Sequence, residues 1–148
     1  MINDSIKITG DVQIDLFDES GMVKDTRKIK NLVVTVGKNY IASRMKDATA
    51  TAMTHMELGT GTTAAAVGDT TLQTVISGSR VTLASTTVTT NAIAYIASFP
   101  AGTGTGAVTE AGIFNAASAG TMLCRTVFSV VNKGAADAMS ITWTITVS

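Results

Sequence analysis

Hydrophobic and polar residues alternate with a period of two along most of this chain and leave that pattern in one place. In residues 6–16, Ile6, Ile8, Val12, Ile14 and Leu16 fall on one side of an extended strand. Lys7, Thr9, Asp11, Gln13 and Asp15 fall on the other. "DESG" at 18–21 is a turn, and "MVKDTRKIKNLVV" returns as a second arm, so residues 5–34 are expected to form an N-terminal hairpin. The period then lengthens. "TVGKNYIASRMKDA" sets Ile41, Met45 and Ala48 at i, i+4, i+7, which predicts one short α-helix over about 36–48, with Thr35 as its N-cap.

Beyond the helix the pattern is strand and turn, over residues 54–147. "THMELGTG" reads as a strand running into glycines. "TVISGSRVTLAS" and "NAIAYIASF" read as β-rich segments separated by "TTVTTN", and "VTEAGIFN" as a further strand. "GTMLCRTVFSVV" and "MSITWTITVS" form the last two, joined at "NKGAAD". The last is the strongest strand signal: Ile141, Trp143, Ile145 and Val147 alternate with Thr142, Thr144 and Thr146, and threonine suits a pleat that faces water. A parallel sheet needs a crossover of about a dozen residues or more between strands, usually helical. One helix does not supply them. The expected fold is mainly β, an antiparallel β-sandwich or jelly roll with one short helix, built as a single domain over residues 1–148.

Length supports that reading, since 148 residues bury roughly two-thirds of the unfolded surface without a disulfide or metal staple. Eleven acidic and eleven basic residues balance, which argues against direct nucleic-acid or membrane-surface binding, both of which favour a basic field. Charged residues are only 15% of the chain, against about 25% in an average domain, so part of the surface is expected to lie against other subunits. The N-terminus lacks the basic-then-apolar order of a signal peptide, and no 18 apolar residues run together. A chain made and assembled in the cytoplasm is the expectation.

Candidate chemistry is sparse. "MELGTGTTAAAVGDTTL" (56–72) and "PAGTGTGAVTEAGIF" (100–114) are glycine-rich, but neither has the G-x-x-x-x-G-K-[ST] pattern of a phosphate loop. Gly59 and Gly61 are followed by Thr62, Thr63 and Ala64, which also fails the dinucleotide fingerprint, and no helix pattern follows Gly102, Gly104 and Gly106. Both stretches read as turns. His55 is the only histidine; it shares a strand face with Glu57, and a half-exposed strand residue is the favoured reading over a general base. Asp11, Asp15, Asp18 and Glu19 lack calcium-loop spacing and read as a solvated face and turn. Cys124 in "TMLCRTVFSV" reads as a core thiol, with Arg125 pointing to the opposite face. The basic run Lys24, Arg27, Lys28 and Lys30 reads as a guarded edge strand, or alternatively as a contact for an acidic protein surface. No catalytic, cofactor-binding or metal-ligating set emerges.

The order of four segments carries more than any one of them. "KNLVVTVGKNYIASRM", "MELGTGTTAAAVGDTTL", "VTEAGIFNAASAGTMLCRTVF" and "VVNKGAADAMSITWTITV" together resemble a family of small virion proteins of tailed bacteriophages, with related segments in phage tail-fibre and collar proteins. The resemblance runs from about Lys30 to the C-terminus. It implies a non-catalytic building block with a β-sandwich core, without cofactors. The short form implies a capsid decoration or cement protein on the virion surface, bound to the major capsid protein and reinforcing the shell. The alternative it implies is a tail-fibre, collar or glycan-binding receptor component. Self-association as a homotrimer or homodimer, contact with other virion proteins, and no contact with nucleic acid or membrane belong to the same expectation.

Overall fold

The computed structural model of the protein describes residues 4–46 and 50–148. Its strands are β1 (Ile8–Phe17), β2 (Val23–Lys30), β3 (Leu32–Val33), β4 (His55–Gly59), β5 (Val81–Thr82), β6 (Ser85–Thr89), β7 (Ala92–Phe99), β8 (Gly106–Phe114), β9 (Met122–Lys133) and β10 (Ala138–Val147). The helix α1 is Thr35–Arg44. They form two five-stranded antiparallel sheets packed as a sandwich, in the orders β2-β1-β10-β7-β6 and β3-β9-β8-β4-β5. The mainly β architecture expected from the alternation is the one observed.

β10 is the centre of the first sheet, between β1 and β7. Its odd-numbered residues Ile141, Trp143 and Ile145 point inward beside Val12 and Ile14 of β1 and Tyr95 and Ala97 of β7. The second sheet contributes Met56, Leu58, Val108, Ala111, Ile113 and Cys124 to the same cluster. The threonines of β10 face out. Period two therefore sets which side of β1, β7 and β10 is core.

Four boundaries differ from the sequence reading. The return arm of the N-terminal hairpin breaks at Asn31: Val23–Lys30 stays in the first sheet, and Leu32–Val33 crosses to pair with Arg125 and Cys124 of β9. Asn31 marks the crossing, its N–H donating to the carbonyl of Gly10. A second crossing occurs at the other side of the sandwich. There "TVISGSRVTLAS" is a strand only at Val81–Thr82 and at its last residue, Ser85, which opens β6 of the first sheet; "TTVT", read as part of a separator, completes β6. β-branched residues with a free edge to occupy made that stretch a strand. Ile6, placed on the core side by parity, precedes β1 and is exposed.

The helix is shorter than expected and is capped differently. Val34, in extended conformation, is its N-cap and makes no side-chain cap bond. Thr35 is the first helical residue, and its N–H donates to the carbonyl of Val67 at 2.7 Å, so tertiary structure supplies the cap. The helix ends at Arg44, where the N–H groups of Met45 and Lys46 bond Ala42 and Ser43 in a tightened final turn. Residues 47–49, which include the expected Ala48 position, lie outside the described residues.

Gly37 is the buried residue of α1 and rests on the backbone of Leu123 in β9; a Cβ there would overlap the Leu123 carbonyl. Alanine is the better helix former by about 1 kcal/mol. Gly37→Ala is nonetheless expected to destabilise the protein by about 1–3 kcal/mol, because the helix must move off the sheet. A lower urea midpoint with unchanged m-value is the expected result.

Candidate functional site

The glycine-rich stretch after β4 does wrap an anion, and the anion belongs to the protein. Residues 60–80 pass over the outer face of the second sheet as a strap. The strap's backbone N–H groups converge on the Glu110 carboxylate of β8. Gly61 N–H donates to Oε1 at 2.9 Å, Thr74 N–H to Oε1 at 2.7 Å and Gln73 N–H to Oε2 at 3.0 Å. Arg125 of β9 donates to Oε2 through Nε at 2.9 Å and pairs with it through Nη2 at 2.8 Å. A Cβ on Gly59 or Gly61 would collide with the Glu110 side chain, which is why glycine stands at both positions.

Arg125 uses its whole fork. Besides Glu110, it donates to Asp69 Oδ2 at 2.7 Å and to the Thr63 carbonyl at 3.0 Å. Glu110 is 0% and Arg125 2% exposed, so this ion pair has lost its hydration and depends on its mutual hydrogen bonds. Burial by itself would raise the Asp69 carboxyl, but the Ala66 N–H at 2.9 Å and the Arg125 guanidinium more than reverse this and hold it below the usual carboxylate range.

A second arginine clasps the far end of the strap. Arg80 is paired with Glu57 of β4, lies 3.8 Å over the Phe114 ring, and donates to the carbonyls of Ala116 and Ala119. Between the two clasps Leu72 joins Val34, Phe114 and Met122 in a small apolar cluster on the outside of the sheet. The second sheet is thus covered on both faces. The sequence reading weighed Glu57 as a partner for His55; the structure gives Glu57 to Arg80. His55 contacts two threonine hydroxyls, Thr54 at 2.7 Å and Thr82 at 3.4 Å.

A bulge orients Glu110. The β8–β9 register shifts between Val108 and Glu110, whose partners are Val131 and Val127. Val108 consequently faces the core while Glu110, two residues on, faces the strap. The bulged carbonyls of Ser129 and Val130 accept from Arg27, at 3.1 and 3.2 Å, which ties edge strand β2 to the opposite sheet.

The remaining candidates resolve locally. Cys124 is buried, and burial pushes its thiol well above the usual range, while Arg125 does point to the opposite face. Asp11 pairs with Lys30, Asp15 accepts from Thr26 at 2.9 Å, and Asp18 closes its turn by accepting from Ser20 and Met22. The basic run lies on the edge strand β2. Lys24 reaches Asp137 at 2.9 Å, and the Gly134 N–H also donates to that carboxylate. These two contacts, led by Lys24, hold the Asp137 carboxyl below the usual range. Among the described residues no group of three or more His, Cys, Asp or Glu is placed to hold a metal.

The first sheet presents the opposite character. Its outer face over β10, β7 and β6 is formed by Ser140, Thr142, Thr144 and Thr146, by Ala92, Ala94, Ile96 and Ser98, and by Ser85, Thr87 and Thr89. These side chains are uncharged, and among the described residues no strap crosses them. What the arrangement offers chemically is a scaffold whose strap charges are paired internally, with one broad neutral surface. Sequence reasoning missed both clasps. The available signal was a charge inside each of two apolar strands, Glu110 in "VTEAGIF" and Arg125 in "TMLCRTVF".

Removing one half of the buried pair strands the other. Glu110→Ala is expected to cost about 3–5 kcal/mol, and the double variant Glu110→Ala/Arg125→Met distinctly less than the sum of the singles, read from urea unfolding. Asp69 and Asp137 bind protons more weakly folded than unfolded. Their contribution is therefore present above the unfolded carboxyl value of about 3.9 and is lost as pH falls through the lower folded values. Melting temperature is expected to drop on acidification below about pH 4, with a shallower drop in Asp137→Asn.

Compared with family models, curated proteins and solved structures, the chain matches none of them.

Proposed function

We propose that this protein is a non-catalytic structural component of a tailed-bacteriophage particle, a decoration protein that binds the major capsid protein and stabilises the shell. The observation that carries the reading is the contrast between the two sheets. One is strapped on its outer face by residues 60–80, with its charges spent on one another; the other is neutral over β10, β7 and β6, where Thr, Ser and Ala predominate. Such a surface suits many weak contacts repeated over a lattice, where attachment comes from multiplicity and no single deep site is needed. The succession of motifs from Lys30 onward supports the same assignment. Its partners in this reading are the major capsid protein, further copies of itself and neighbouring virion proteins, on the capsid surface and away from nucleic acid and membrane.

The test is made on particles. Stripping the protein with mild denaturant is expected to lower the temperature and osmotic shock at which particles release their contents, and add-back to restore both. Unchanged particle stability would reject the cementing role. Antibody labelling over the whole shell is expected in electron micrographs; labelling confined to the tail or collar would instead assign the protein to the tail-fibre, collar or receptor-binding class.

A further inference from the structure

The two edges of the first sheet are built differently. β2 carries Lys24, Arg27, Lys28 and Lys30, and Arg27 is bonded across to the carbonyls of Ser129 and Val130. β6 is Ser85-Thr86-Thr87-Val88-Thr89, uncharged, without proline, and exposed at every residue. Among the described residues it pairs with β7 alone, which leaves the backbone groups on its outer side open to a further strand. An edge of this composition lacks the lysine, proline or cover that ordinarily prevents strand addition. Val88, 69% exposed, also borders an apolar groove of about 430 Å³ lined by Tyr40, Ile41 and Ile93.

We propose that β6 pairs with β6 of a second copy of this chain, antiparallel about a two-fold axis at Thr87. The two five-stranded sheets then join into one continuous sheet. In that register Thr87 faces its own copy, Thr86 faces Val88, and Ser85 faces Thr89. Each pair is hydroxyl with hydroxyl or β-branched with β-branched, and no charge opposes another. Thr86 and Val88 lie opposite Tyr95 and Ile93 of β7, on the core side of the sheet, so pairing covers Val88 beside the groove. Addition of β6 to the β2 edge of another copy is disfavoured by the four basic side chains and the Arg27 tether. Without that head-to-tail route the isologous contact closes at two copies. This surface goes beyond the particle role proposed above, and the two can fail separately.

Sedimentation of the full chain at micromolar concentration is expected to show twice the mass of one chain. Thr87→Lys sets two like charges opposite each other at the axis and is expected to weaken the dimer roughly tenfold or more, with circular dichroism unchanged. Thr87→Cys is expected to form a covalent dimer on mild oxidation, while Thr26→Cys on the β2 edge does not. A monomer or trimer for the unmodified chain, a dimer unaffected by Thr87→Lys, or equal cross-linking from both edges would each overturn the proposal.

Discussion

The buried contact between Glu110 and Arg125 is the constraint on which the second sheet depends. A carboxylate and a guanidinium held away from water are tolerable only when their hydrogen-bonding capacity is used, and here the strap's own backbone completes the set at Gly61, Gln73 and Thr74. The pair therefore does more than join two neighbouring strands. It gives a long segment with little regular structure a fixed path across the sheet. Arg80 and Glu57 secure the same segment nearer its exit, and Leu72 settles between the two clasps.

From that path follow features that look unrelated in the sequence. Glycine stands at 59 and 61 because the Glu110 side chain leaves no room for a Cβ there. Val67, carried over the sheet by the strap, accepts from the first N–H of α1 and takes the place of a side-chain cap. The irregular pairing between Val108–Glu110 and Val127–Val131 directs Glu110 outward and also presents the carbonyls that anchor Arg27. One distortion in the β8–β9 pair thus both aims the internal anion and fastens an edge of the other sheet.

The same economy explains how the surface is divided. Charge is scarce in this chain, and much of it is consumed in closing the β2 side of the sandwich and in holding the strap. Little is left for the outer face of β10, β7 and β6, which stays neutral. A scaffold of this kind positions a surface; the proposed roles in a particle and in self-pairing both draw on that surface, from different sides of it.

Alternation along the chain determined the mainly β class, the inward face of β1 and β10, the presence of one helix and the burial of Cys124, because strand parity is a local property that each side chain obeys by itself. Local pattern also marked β2 as a guarded edge through its lysines. It did not reveal where the chain changes sheets at Asn31 and at Leu83–Ala84, since both crossings are made within segments that read as plain strand. Nor did it reveal that Glu110, placed by period two on the same side as Val108, faces the other way; a bulge depends on how two distant strands pair. The glycine stretch shows the division most clearly. Sequence excluded a phosphate loop for want of a lysine, but only the tertiary structure could show that a carboxylate 49 residues from Gly61 supplies the negative charge those N–H groups bind.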